Sequence, residues 1–186
     1  MTSEKSVIHD SIRQVKKIYE QVSVLIKTAD DLMGEHGWEP EKPAVIFGSS
    51  AAVYAPRQWL PSVLTRKYRH KESINTVLSM GVLLDDVLDD MRIEEPLIIA
   101  TRLSVKDTSE DFPYTNDNDD PYWWFMKSAN LEAVGEVVEI DKPQDVYEKE
   151  TRSLGRVLTF AVPLLEIESS DELRDKFVVK LLALSE

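Results

Sequence analysis

The chain has 186 residues, 22 Lys and Arg against 34 Asp and Glu, 42% hydrophobic residues and no Cys. That apolar content fills one sizeable core, so the length predicts a single domain over residues 1–186 and excludes a wholly disordered chain. A net charge of −12 excludes general attraction to nucleic-acid phosphates or anionic lipid, and the missing Cys removes zinc fingers, thiol nucleophiles and disulfide scaffolds.

Residues 1–36 form the first segment, a long amphipathic helix running from about Ser3 to about Gly34. Ile8, Ile12, Val15, Tyr19, Val22, Ile26, Ala29 and Met33 alternate at spacings of four and three, a heptad stripe that a strand cannot place on one face. Ile18, Leu25 and Leu32 widen it to three positions in seven, so the helix is expected to lay its apolar face into the core of its own domain. The alternative is pairing with another chain, a second copy included. Gly34 and Gly37 suit a left-handed C-terminal residue, and Pro40 forbids continuation. The N-terminal residues show no signal-peptide pattern, and no run approaches the ~20 apolar residues of a membrane span, which gives an expected cytoplasmic location.

Residues 35–58 read as a Pro- and Gly-containing connector interrupted by a short apolar run, Ala44 to Phe47, suited to a strand. From Trp59 the apolar period changes to two. Leu60 to Lys71, Ile74 to Leu84 and Leu97 to Val105 read as strands, joined by connections short enough for antiparallel pairing. Residues 107–120 hold six acidic side chains and no basic one, marking an exposed acidic loop. Val134 to Ile140 and Arg156 to Ile167 read as further strands, and Pro163 places the latter at a sheet edge or a bulge. Ser169 with Glu172 makes a capping box, after which Leu173, Phe177, Leu181 and Leu184 follow at helical spacing. The expected fold class is α+β: a long N-terminal helix and a C-terminal helix on a mainly antiparallel sheet of about five strands.

Three segments invite a chemical reading. Asp85, Asp86, Asp89 and Asp90 resemble the Asp-Asp-x-x-Asp motif of isoprenoid synthases over five residues, and carboxylates so spaced on a helix can hold Mg²⁺ against a phosphate. Here they follow a strand-like run, and a solvated turn between strands accounts for them. Phe47-Gly48-Ser49 resembles the entry of minimal nucleotidyltransferases, yet no Asp occurs between Asp31 and Asp85 to supply that family's metal pair. Asn116 to Asp120 suggests a calcium loop but lacks the Gly and the bidentate Glu that an EF-hand needs. His9, His36 and His70 are too far apart to form a local metal or catalytic motif. No catalytic residue, metal ligand or cofactor is therefore assigned.

Two further clusters are candidates for binding. Arg66, Lys67, Arg69 and Lys71 form a basic patch whose alternate residues point to opposite faces of a strand, which argues against one continuous phosphate track. Tyr122, Trp123 and Trp124 belong to an aromatic run that cannot be buried as a whole, and Asp117, Asp119 and Asp120 adjoin it. That combination fits the centre and rim of a protein interface. The expected function is a non-enzymatic protein-interaction or regulatory module that binds a protein partner. The competing classes are a Mg-dependent hydrolase or transferase built on Asp85 to Asp90, and a small-ligand sensor.

Overall fold

Ile, Val and Leu at heptad spacing, with no Pro or Gly before Gly34, give an uninterrupted first helix, α1 (Glu4–Gly34). The structure, a computed structural model, describes residues 4–41, 45–47, 60–61, 63–73, 75–85, 93–105, 134–140 and 154–184. Beyond α1 the chain turns at Gly37, whose φ of +79° is the left-handed conformation that glycine takes without strain. A Cβ there would lie 2.6 Å from His70 Nε2, so the imidazole would have to shift to admit one.

Seven strands follow among the described residues: β1 (Trp38–Pro40), β2 (Val45–Phe47), β3 (Val63–His70), β4 (Thr76–Leu83), β5 (Leu97–Val105), β6 (Val138–Ile140) and β7 (Leu154–Pro163). They form one sheet in the order β1-β3-β4-β5-β7-β6, and every pair of named strands is antiparallel. β1 pairs with the Tyr68–His70 end of β3 and β2 with its Val63–Thr65 end. Both therefore lie end to end along the side of β3 that β4 leaves open. The fold class is the α+β arrangement expected from sequence, with two short strands more than the five anticipated.

Pro163 does not make β7 an edge strand. β7 lies between β5 and β6, and Pro163 is its last residue, opposite Leu97, past the stretch that β6 pairs. A missing N–H is tolerated there because the ladder to β6 has already ended. The chain then makes a 3₁₀ turn (Leu164–Glu166) and the C-terminal helix α2, with α-helical turns at Ser170–Glu172 and Val179–Ala183 flanking a π-helical stretch, Leu173–Val178. Ser169 caps the helix as its type predicts, whereas Glu172 reaches back one residue past the N-cap. Ser169 Oγ accepts from the Glu172 N–H at 3.2 Å, and the Glu172 carboxylate accepts from the Glu168 N–H at 2.8 Å.

The strand period of two divides the sheet between two faces. Tyr68, Leu78, Met80, Val82, Ile98, Ala100, Leu158 and Phe160 point to the helix side, where they pack with Ala29, Leu32 and Met33 of α1 and with Leu173, Phe177 and Leu181 of α2. Phe160 and Phe177 meet with ring centroids 5.5 Å apart. The opposite face is also buried and holds a second cluster, Val63, Leu83, Leu97, Ile99 and Ala161. On that face a polar row crosses the sheet at Ser79, Thr101 and Thr159. Thr159 donates to the Ala100 carbonyl at 2.8 Å and lies 3.3 Å from the Thr101 hydroxyl, whereas Ser79 Oγ is buried with no partner among the described residues.

Candidate interaction surface

The N-terminal part of α1 departs from the expectation that the whole stripe enters the core. From Val22 onward the stripe is buried: Val22, Ala29, Leu32 and Met33 belong to the main cluster, and Leu25 and Ile26 pack against it. Between residues 7 and 21 no side chain is buried. Ile8 is 64% exposed, Ile12 51% and Ile18 46%, while Val15 and Tyr19 are half-buried. A 31-residue helix is about 46 Å long, whereas strands of eight to ten residues span roughly 26–33 Å, so α1 is longer than the strands it packs on.

Among the described residues, this part of α1 is an arm with an exposed, aligned apolar seam. Ile8, Ile12, Val15 and Tyr19 keep the heptad spacing, which drifts by only about 20° per heptad on a straight helix, so they face the same side as the buried residues that continue the stripe. Across residues 4–17 the stripe is two positions wide, because Ser11 stands where Ile18, Leu25 and Leu32 stand in the later turns. Two positions in seven make the width of a helix-to-helix seam, and three make the width of a helix on a core. That narrowing was available in the sequence, and it separates the two roles.

The base of the arm is fixed by polar contacts. Arg66 on β3 grips Asp30 of α1 with two hydrogen bonds, Nε to Oδ1 at 3.0 Å and Nη2 to Oδ2 at 2.7 Å, and its Nη1 donates to the Glu41 carbonyl at 3.1 Å. These bonds to Asp30 strengthen the guanidinium's hold on its proton, against the opposing effect of burial. Beside them the Tyr68 hydroxyl is buried without a hydrogen bond of ordinary geometry among the described residues. Burial first, and then the negative charge of Asp30, push its pKa well above the usual tyrosine value. Higher on the helix, the Tyr19 hydroxyl donates to the Pro61 carbonyl at 2.8 Å, and burial followed by the charge of Asp85 raises its pKa.

The basic patch divides as its alternation requires. Arg66 is engaged by Asp30, Arg69 by the Glu41 carboxylate, and Lys71 by Glu39 at 2.8 Å in an exposed pair. Lys67 lies on the opposite face of β3 from Arg66, in register with Ser79. The four cations are thus not brought together on one surface. Asp85 is exposed just past β4, at the start of the connection between two antiparallel neighbours. Asp86, Asp89 and Asp90, the acidic loop 107–120 with Asp117, Asp119 and Asp120, and the aromatic residues Tyr122, Trp123 and Trp124 lie outside the described residues. Among the described residues no group of three or more His, Asp or Glu converges as a metal site, and no helix is long and apolar enough to cross a membrane.

No protein-family model, no curated protein and no solved structure matches the chain.

Proposed function

We propose that the chain is a non-enzymatic interaction module, an accessory or regulatory protein that binds a protein partner through the exposed seam of its α1 arm. The observation that carries this reading is the exposure of Ile8, Ile12 and Ile18 on a helix whose own continuation is buried. Exposed apolar side chains aligned on one face of a helix are the form in which a helix is recognised by another helix or by a groove. The charged groups near the base of the arm support the same reading. Asp30, Arg66, Glu41 and Arg69 are used up in holding α1 and β1 to β3, which is structural work.

The test is affinity capture of the tagged full chain from its native host, beside an Ile8→Glu/Ile12→Glu variant. Glu keeps helix propensity while placing charge on the seam. The expected result is a protein retained in stoichiometric amount by the native chain and reduced at least about tenfold by the variant, the effect of losing central apolar anchors. Equal retention by both chains would overturn the proposal.

A further inference from the structure

We infer that Arg102 and Arg156 form a seat for one small oxyanion, a phosphate or a carboxylate, on the helix side of the sheet and apart from the α1 arm. Strand pairing places the seat. Arg102 on β5 stands opposite Leu78 of β4 and Leu158 of β7, both of which belong to the core cluster of the helix side. Residues directly opposite on paired strands share a face, so Arg102 points to that side too. Glu139 of β6 stands opposite Leu158, and Arg156, two residues before Leu158, donates to its carboxylate at 2.7 Å. Diagonal neighbours on adjacent strands lie within reach of long side chains, which brings the two guanidinium groups into one neighbourhood.

Arg102 is the unsatisfied member. Its side chain is half-buried, and its Nε is buried with no hydrogen-bond partner among the described residues. A buried donor ordinarily has an acceptor, and a guanidinium cannot shed its charge to escape the cost. Burial, and then the charge of Arg156, weaken its hold on the proton; an adjoining anion offsets both. Glu139 does not supply that anion, because it is engaged by Arg156 in a pair whose members are 55% and 50% exposed. The contrast with β3 is direct: Arg66, Arg69 and Lys71 each meet a carboxylate, in a chain where acidic residues outnumber basic ones by twelve. The fork of Arg102 presents parallel N–H groups that suit two oxygens of one anion, and its apolar neighbours Leu78 and Leu158 lower the local dielectric and strengthen the attraction. Two cations with one carboxylate leave a balance of +1, enough for a single anionic group and not for a nucleic-acid track.

Titration of the full chain with sodium phosphate, and separately with sodium acetate, tests this at constant ionic strength with chloride as the balance. Binding is read from the arginine Nε–Hε resonances by nuclear magnetic resonance, with the Arg102 signal identified by its loss in Arg102→Lys. The expected result is a saturable shift of the Arg102 and Arg156 signals with a dissociation constant of about 1 mM for phosphate, and weaker binding of acetate, which carries less charge. Arg102→Lys keeps the charge and the apolar stem but loses the fork, and should weaken phosphate by about tenfold as read from Arg156. Glu139→Gln lies at a half-exposed position, frees Arg156 and removes a repelling charge; it should strengthen binding by about threefold. Shifts that are linear or that chloride reproduces, acetate binding the tighter of the two, or a Glu139→Gln variant that binds no tighter would each overturn the inference. So would an Arg102 signal that neither anion moves, the result expected if a carboxylate of the chain itself fills the seat.

Discussion

Replacing Asp30 by Asn tests what anchors the arm. The substitution keeps the shape and removes the charge that Arg66 grips through two bonds of 3.0 and 2.7 Å. Side-chain exposures of 13% for Arg66 and 19% for Asp30 make the pair largely but not wholly desolvated. Breaking a fully buried pair costs about 3–5 kcal/mol, because the remaining charge is left without compensation. Here one bond to the Asn oxygen and the bond to the Glu41 carbonyl can persist, and some water reaches the site, so a loss of about 2–3 kcal/mol is expected. Urea unfolding followed by far-ultraviolet circular dichroism would show it as a midpoint lowered by about 1 M. The second arm of the experiment is Asp30→Asn combined with Arg66→Met, which removes the stranded cation. It should recover part of the loss. A single variant within about 0.5 kcal/mol of the native chain, or a double variant less stable than the single, would refute the view that an uncompensated charge sets the cost.

Three further outcomes follow from the same contacts. Because the Tyr68 pKa is raised in the fold, its neutral form contributes stability that is fully present below the usual tyrosine pKa of 10.0 and is lost as pH rises toward the folded value; Tyr68→Phe should match the native chain near pH 8 and exceed it increasingly above about pH 10 in urea midpoints. Ser79→Ala removes a buried hydroxyl with no partner among the described residues and should leave stability unchanged or raise it by up to about 1 kcal/mol, where a loss above that size by urea unfolding would show that the hydroxyl is used. Gly37→Ala combines a positive φ with a Cβ 2.6 Å from His70, whose ring packs on Trp38 at 5.3 Å, and should lower the urea midpoint by the equivalent of about 1–3 kcal/mol.

Where the fold was legible in the sequence, the signal was periodicity coupled to burial. Leu97 to Val105 matches β5 because the two buried faces of the central sheet take its apolar residues, Ile98 and Ala100 on one side and Leu97, Ile99 and Leu103 on the other, and α2 was marked by the Ser169 cap together with Leu173, Phe177 and Leu181. Short or interrupted elements were harder. β1 has only three residues, one of them Pro40, and it exists because Glu39 and its neighbours pair with the exposed side of β3, a long-range event with no local signature. The assignment of β7 to an edge failed because Pro163 speaks only for its own N–H and not for the strand before it. At the candidate surface, the periodic stripe showed that α1 is amphipathic, but the same spacing serves a core and a seam. The Ser11 to Ile18 change in width holds the distinction, and which part of α1 is buried depends on where the sheet and α2 meet it, a long-range matter. The partners of Arg66 were beyond sequence for the same reason: Asp30 lies 36 residues away on another element.

Hydrogen exchange resolved along α1, measured on the full chain in dilute and in assembled form, tests most directly whether the arm is the interaction surface. Amides of residues 22–33 should be protected in both states because they are packed on the sheet. Amides of residues 7–21 should exchange rapidly in the dilute chain and become protected on assembly, with the largest change around Ile12 and Val15. Protection on assembly that appears elsewhere and leaves residues 7–21 unchanged would contradict the account.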